Sequence, residues 1–168
     1  MVCNAATNPS FGSSLEITEE AFDKIMNTNL KSIHLLCNMV IPGMTEQNDG
    51  AIVIISSIAA CRGSKTLGVY AISKAAEAQL ARNLAVEWGK HNVRVNAIAP
   101  GLIKTDFARA LWDNPQLLRE QERMTPLRRI GEPDDIAGVV AFIASQAGRY
   151  VTGQYLTVDG GITIAGTL

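Results

Sequence analysis

Five consecutive apolar residues, Ala51-Ile52-Val53-Ile54-Ile55, constrain this chain more than any other stretch. They do not alternate with polar residues, so neither face of the strand they form is meant for water. That pattern belongs to a parallel strand covered on both sides. Asn48-Asp49-Gly50 supplies the turn into it. Ser56-Ser57 ends it, and a segment rich in alanine begins near Gly68. A buried strand followed by a helix predicts an α/β fold with a doubly wound parallel sheet. Ligands of such sheets collect at the carboxyl ends of the strands. Ser57 is placed at such an end, and Tyr70 and Lys74 fall on the helix that follows.

Tyr70 and Lys74 are four positions apart, so they share a helix face. A phenol titrates near about 10, too high for a base at neutral pH. An adjacent ammonium favours the phenolate, so the spacing predicts a lowered pKa for Tyr70. A phenol tuned in that way exchanges a proton with an alcohol oxygen, and Ser57 is able to hydrogen-bond the same oxygen. Tyr and Lys at this spacing more often form an ordinary amphipathic face. Thirteen positions after a serine that closes a strand, the pair gains specificity.

The stretch Ser57 to Lys74 resembles the active-site segment of the short-chain dehydrogenases/reductases, and other pieces agree. Cys3-Asn4-Ala5-Ala6 resembles the family's N-N-A-G, with Cys3 and Ala6 departing from it. Asn27-Thr28-Asn29-Leu30 matches its N-x-N-L, Pro100 to Thr105 its P-G-x-x-x-T, and the segments Arg129–Ala137 and Val151–Gly161 its C-terminal motifs. The resemblance implies catalytic roles for Asn29, Ser57, Tyr70 and Lys74. Tyr70 is the implied general acid/base, Lys74 binds the nicotinamide ribose, and Asn29 holds a water that links the lysine to solvent. It implies NAD or NADP as cofactor, contacted by Asn4, Tyr70, Lys74, Pro100, Gly101, Ile103 and Thr105. The partners implied are a small carbonyl or alcohol substrate and further copies of the chain, since family members pair two helices across a dimer interface. A weaker likeness to the carbonyl/retinol reductase subgroup rests on N-A-A-T-N-P, S-S-I-A-A and A-P-G-L-I-K-T.

Read without the family, several of these residues have plainer explanations. Asn29 is then a tolerated polar residue at a packing edge, Pro100-Gly101 a simple turn, and Cys61 a small packing residue rather than a reactive thiol.

The family's opening T-G-x-x-x-G-x-G turn, whose backbone donors meet the pyrophosphate, has no counterpart here. The chain resembles the later two-thirds of a member, a single domain over residues 1–168 that enters at the fourth strand. A rival reading is therefore a non-catalytic fragment that associates with full-length subunits. The Tyr/Lys chemistry of related epimerases and dehydratases is another, opposed by V-D-G-G and P-G-L-I-K-T.

The rest of the chain carries structural signals. Thr18 is a good N-cap, followed by Glu19 and Glu20 and by apolar residues at Phe22, Ile25, Met26, Leu30, Ile33, Leu36, Cys37 and Val40 in helical period. Asn92 to Ile98 reads as a strand, Pro133 as the first turn of a helix burying Ile136, Val139, Val140, Phe142 and Ile143, and Tyr150 to Val158 as the last strand region. Leu102 to Arg129, broken by Pro115 and Pro126, reads as a long loop, either a lid over an apolar substrate or a cap on the core.

Net charge is −1, which implies no nucleic-acid partner. No apolar run reaches the ~20 residues of a membrane span. Three cysteines without C-x-x-C spacing, distant from His34 and His91, predict a reduced cytoplasmic setting and no metal. The ending Gly166-Thr167-Leu168 is not the Ser-Lys-Leu peroxisome signal.

Overall fold

The computed structural model describes residues 1–165; the Gly-Thr-Leu ending lies outside them. Four parallel strands form one sheet in the order β1-β2-β3-β4: β1 (Val2–Cys3), β2 (Gly50–Ile55), β3 (Val93–Pro100) and β4 (Tyr155–Val158). Register pairs Val53 with both Val2 and Asn96, and Ile98 with Leu156. Parallel neighbours require crossovers, and helices supply them.

The continuous apolar run of β2 does what its composition predicts. Ile52 and Ile54 point into one core with Val93, Val95 and Ala97 of β3. Val53 and Ile98 point into the other. The first core is closed by α2 (Ser32–Gln47), through Ile33, Cys37 and Ile41, and by α3 (Gly68–Trp88), through Ala81, Leu84 and Ala85. Alanines at those turns let α3 lie close to the sheet. The second core is closed by α6 (Pro133–Ala144), whose Ile143 is fully buried. Burying each such isoleucine side chain stabilises the fold by about 1.5–3 kcal/mol.

The helix begun at Thr18 is continuous but not uniform. Thr18 accepts from the Ala21 amide at 3.2 Å and starts α1 (Glu19–Met26). Asn27–Lys31 then forms a π-turn before α2. One wide turn shifts the phase of the apolar stripe, and this explains why Leu36 is exposed although the uninterrupted period predicts it buried. Phe22 and Phe142, also expected in the core, are exposed by 40% and 45%.

Leu102 to Arg129, predicted as a loop, contains two helices, α4 (Arg109–Trp112) and α5 (Pro115–Met124). The signal was local: Asn114 Oδ1 accepts from the Gln116 and Leu117 amides, and Pro115 occupies the first turn, where its missing N–H costs nothing. The last strand is shorter than Tyr150–Val158, because Tyr150 sits in a turn and is fully exposed. Cys61 closes a short 3₁₀ turn (Ile58–Cys61) and is exposed, so it is no packing residue.

Arg94, on the α6 side of β3, donates to the carbonyls of Ile143 at 2.6 Å and Gly148 at 2.9 Å. A guanidinium thus satisfies carbonyls that the end of α6 leaves without partners. Two residues on, Asn96 donates to the Val151 carbonyl at 2.9 Å and accepts from the Gln154 amide at 3.0 Å. Together they fasten the segment leading into β4.

Candidate active site

A cleft of about 820 Å³ opens at the carboxyl ends of the strands. Ser57 reaches it from just past β2, and Tyr70 and Lys74 reach it from the first two turns of α3. Asn4 enters from just past β1, while Pro100, Gly101, Ile103 and Thr105 line the segment leaving β3. Every residue proposed from sequence for this site lines the cleft except Asn29. The remaining wall is apolar, with Phe107 near Tyr70 (ring centroids 6.3 Å apart) and Ile136 and Val140 of α6. Gly101 is required where β3 leaves the sheet: a Cβ there would lie 2.9 Å from the Asp159 Cα.

Asn29 sits behind the cleft, fully buried in the π-turn. Its Oδ1 accepts from the Thr7 amide at 2.8 Å. Its Nδ2 donates to the Thr7 carbonyl and to Ser73 Oγ, both at 3.0 Å. Ser73 Oγ in turn donates to the Tyr70 carbonyl at 2.7 Å. The side chain is thereby a staple between the segment after β1 and the first turn of α3, with both its N–H groups engaged. A water relay at this residue is left with its backbone and the second lone pair of Oδ1.

Lys74 is buried, and its Nζ has three partners: the Ile55 carbonyl at 3.0 Å and both oxygens of Glu77, at 2.9 and 3.2 Å. Nζ lies 5.6 Å from the centre of the Tyr70 ring. Burial raises the Glu77 carboxyl to about 7, against the pull of the Lys74 charge and of the Ser56 hydroxyl.

Tyr70 departs from the direction that its spacing from Lys74 predicts. Burial pushes its phenol up to about 12, the Ser57 hydroxyl beside it pulls the other way, and the Glu77 charge pushes it further up. The main reason is the buried position of the phenol, which disfavours the charged phenolate. The Glu77 charge, one helical turn beyond the motif, adds a smaller push in the same direction.

Two braces escaped the sequence reading. Ser56 Oγ donates to the Lys74 carbonyl at 2.9 Å, tying β2 to α3. Tyr155 of β4 donates its hydroxyl to the Ser57 carbonyl. A buried tyrosine needs a partner for its hydroxyl, but the sequence does not say which carbonyl provides it.

The chain's sequence and fold have known relatives. The family described as enoyl-(acyl carrier protein) reductase matches residues 1–163. Dehydrogenase/reductase SDR family member 4 of Bos taurus is 44% identical over 161 residues, which are 96% of this chain and 58% of that protein. A short-chain type dehydrogenase/reductase from Mycobacterium ulcerans superposes with a TM-score of 0.94 at 34% identity, over 98% of this chain and 60% of that one. A 7α-hydroxysteroid dehydrogenase, solved with NADH and 7-oxo glycochenodeoxycholic acid, superposes at 0.89 with 37% identity, over 95% of this chain and 62% of that one. The chain therefore spans about three-fifths of the length of these relatives. With nearly all of its length matched in sequence and in fold, the chain belongs to the short-chain dehydrogenase/reductase family.

Proposed function

We propose that the chain carries the reacting part of a NAD(P)-dependent oxidoreductase that interconverts a carbonyl and a secondary alcohol. The observation that carries this reading is the convergence of Ser57, Tyr70 and Lys74 on one cleft at the sheet's carboxyl edge. Relatives solved with NADH, or with NADP as in a gluconate 5-dehydrogenase from Burkholderia cenocepacia, support the choice of cofactor.

The donor set fits the nicotinamide end of such a cofactor. Tyr70 offers a phenol to a ribose diol, Lys74 would reach the same diol by exchanging one of its partners, Ile55 or Glu77, and Asn4 lines the same cleft. Ile103 and Thr105, beside Pro100 and Gly101, line the wall where a carboxamide would find backbone and hydroxyl partners. When bound, the cofactor supplies or accepts the hydride.

The chain's own residues handle the oxygen. Ser57 orients the carbonyl oxygen through a hydrogen bond. Tyr70 gives its phenolic proton to that oxygen as the carbon is reduced, and takes it back when an alcohol is oxidised. Lys74 stabilises the phenolate left behind. Asn29 serves this step through the backbone of Tyr70. Its hydrogen bond to Ser73 fixes the turn that presents the phenol. The apolar wall of Phe107, Ile136 and Val140 excludes water and favours a substrate with an apolar body.

We also assign the chain to a homo-oligomer and to a cytoplasmic setting. Exposed apolar side chains on α2 (Leu35, Met39) and α3 (Ile72, Val86) support the first. Three free thiols support the second. Among the described residues, no helix is long and apolar enough to cross a membrane.

The test is a fluorescence titration of the full chain with NADPH and NADH, followed by a carbonyl-reduction assay. Tyr70→Phe is expected to retain cofactor binding and lose at least about 100-fold in turnover, the usual contribution of general acid catalysis. Full turnover by that variant would remove Tyr70 from the reaction.

A further inference from the structure

Ser57 lies between regular elements: it follows β2 and caps the 3₁₀ turn Ile58–Cys61. Its Oγ accepts from the Ala59 amide at 3.1 Å, and its carbonyl from the Ala60 amide at 3.0 Å. Both donors belong to the turn, so they shape it without fixing where it stands. On the amino-terminal side Ser56 does the fixing. Its amide donates to the Ile98 carbonyl at 2.7 Å and its Oγ to the Lys74 carbonyl at 2.9 Å. On the carboxyl-terminal side the anchor is the hydroxyl of Tyr155, which donates to the Ser57 carbonyl from another element of the fold.

Chemistry sets the sense of these bonds. A carbonyl only accepts, so the phenol of Tyr155 donates; an amide only donates, so the serine oxygen accepts. Oγ is thus held from behind by Ala59 and keeps its own O–H to give. That O–H is what the site has to aim, since Ser57 and Tyr70 line one cleft. Tyr155 has the reach for the task. It pairs with Ala97 on β4, and β3 separates it from the end of β2. Two strand spacings come to roughly 10 Å, beyond an aliphatic side chain. Its half-buried ring packs against the first core, as a phenylalanine ring would; the hydroxyl alone adds the link to Ser57.

We propose that Tyr155 is a positioning residue of this site: its hydroxyl fixes the peptide that follows Ser57, and so holds the serine O–H in the direction of the reacting oxygen. The inference rests on the reading that Ser57 orients that oxygen. It adds that the aim is set from β4, by a residue that does not line the cleft.

The first test needs neither substrate nor cofactor. Amide hydrogen exchange is followed by ¹⁵N-resolved NMR in the full chain and in Tyr155→Phe, which keeps the ring and removes the hydroxyl. The Ala59 and Ala60 amides are expected to exchange about fivefold faster in the variant, the usual weight of one hydrogen bond. The control is the pairing of β3 with β4, where the Ala97 and Gly101 amides donate to the Gln154 and Val158 carbonyls at 2.8 and 3.0 Å. Those two are expected to change by less than about twofold, because the opening is local to the turn. A tyrosine that merely docked β4 would release all four amides together.

The second test is a cycle read in turnover. In the carbonyl-reduction assay Ser57→Ala is expected to lose about 100-fold in kcat, the usual effect of removing one donor to the reacting oxygen. Tyr155→Phe is expected to lose about fivefold in kcat at unchanged cofactor affinity. Added to Ser57→Ala it is expected to cost less than about twofold, because the O–H to be aimed is already gone. Three outcomes overturn the proposal: unchanged exchange at Ala59 and Ala60, equal acceleration of all four amides, or the same loss of turnover with and without the Ser57 hydroxyl. Each of them leaves the role of Ser57 intact. Full turnover by Ser57→Ala overturns that role, and the proposal with it, so the two failures are told apart.

Discussion

Asn29→Ala measures how much of the site's architecture hangs on one buried amide. The substitution removes three hydrogen bonds of 2.8, 3.0 and 3.0 Å, and leaves the Thr7 backbone groups and the Ser73 hydroxyl short of partners. A typical hydrogen bond contributes about 0.5–1.5 kcal/mol net, so the three together amount to about 3 kcal/mol. That is roughly a hundredfold in the ratio of folded to unfolded chains, at about 1.4 kcal/mol per tenfold. Equilibrium unfolding in urea is the assay. With a slope of about 2 kcal/mol per molar, the midpoint falls by about 1.5 M at unchanged slope. Ser73→Ala and the double variant complete a cycle, in which contact between the two side chains appears as a coupling of about 0.5–1 kcal/mol or more. A loss below about 1 kcal/mol for Asn29→Ala, with additive behaviour in the cycle, would refute the claim that this side chain is a staple.

Two further outcomes test the frame around the cleft. Arg94→Ala leaves the carbonyls at the end of α6 without their guanidinium and is expected to cost about 1.5–3 kcal/mol, measured by the same urea titration. Asp135 pairs with Arg129 at 2.6 and 2.8 Å and accepts from the Glu132 amide at 2.8 Å. Arg129 first, and the Glu132 amide next, hold its carboxyl well below the ordinary aspartate value of 3.8. A depressed carboxyl stabilises the fold at pH values above its unfolded pKa and loses that contribution as pH falls through the folded one. Thermal unfolding should therefore show an acid-side decline starting near pH 3.8 that Asp135→Asn flattens.

The frame was legible because it rests on periodicity and caps. The unbroken apolar β2, the Thr18 cap and Pro133 in the first turn of α6 are local signals, and each stands where it was read. Ser57, Tyr70, Lys74 and the Pro100–Thr105 segment were legible as a motif, and folding does bring them to one cleft. The electrostatics were not legible. Predicting the Tyr70 phenol requires knowing how deeply it is buried and, second, that Glu77 turns inward, whereas a glutamate on an alanine-rich helix ordinarily faces water. The π-turn at Asn27–Lys31 hid the true phase of α2, since a 3.6-residue period assumes uniform winding. The helices between Arg109 and Met124 were obscured by prolines, although Pro115 opens its helix and does not break it.

The hydroxyl that Tyr155 lends to the Ser57 carbonyl spans 98 positions of sequence. During synthesis, the residues from Ser57 to Lys74 leave the ribosome long before β4 exists. They can form helix and strand early, yet Ser57 gains its anchor only after β4 has docked beside β3. Assembly of the pocket thus waits for β4 to emerge, and a nascent chain halted before residue 155 would hold Ser57, Tyr70 and Lys74 without the brace that aims the serine.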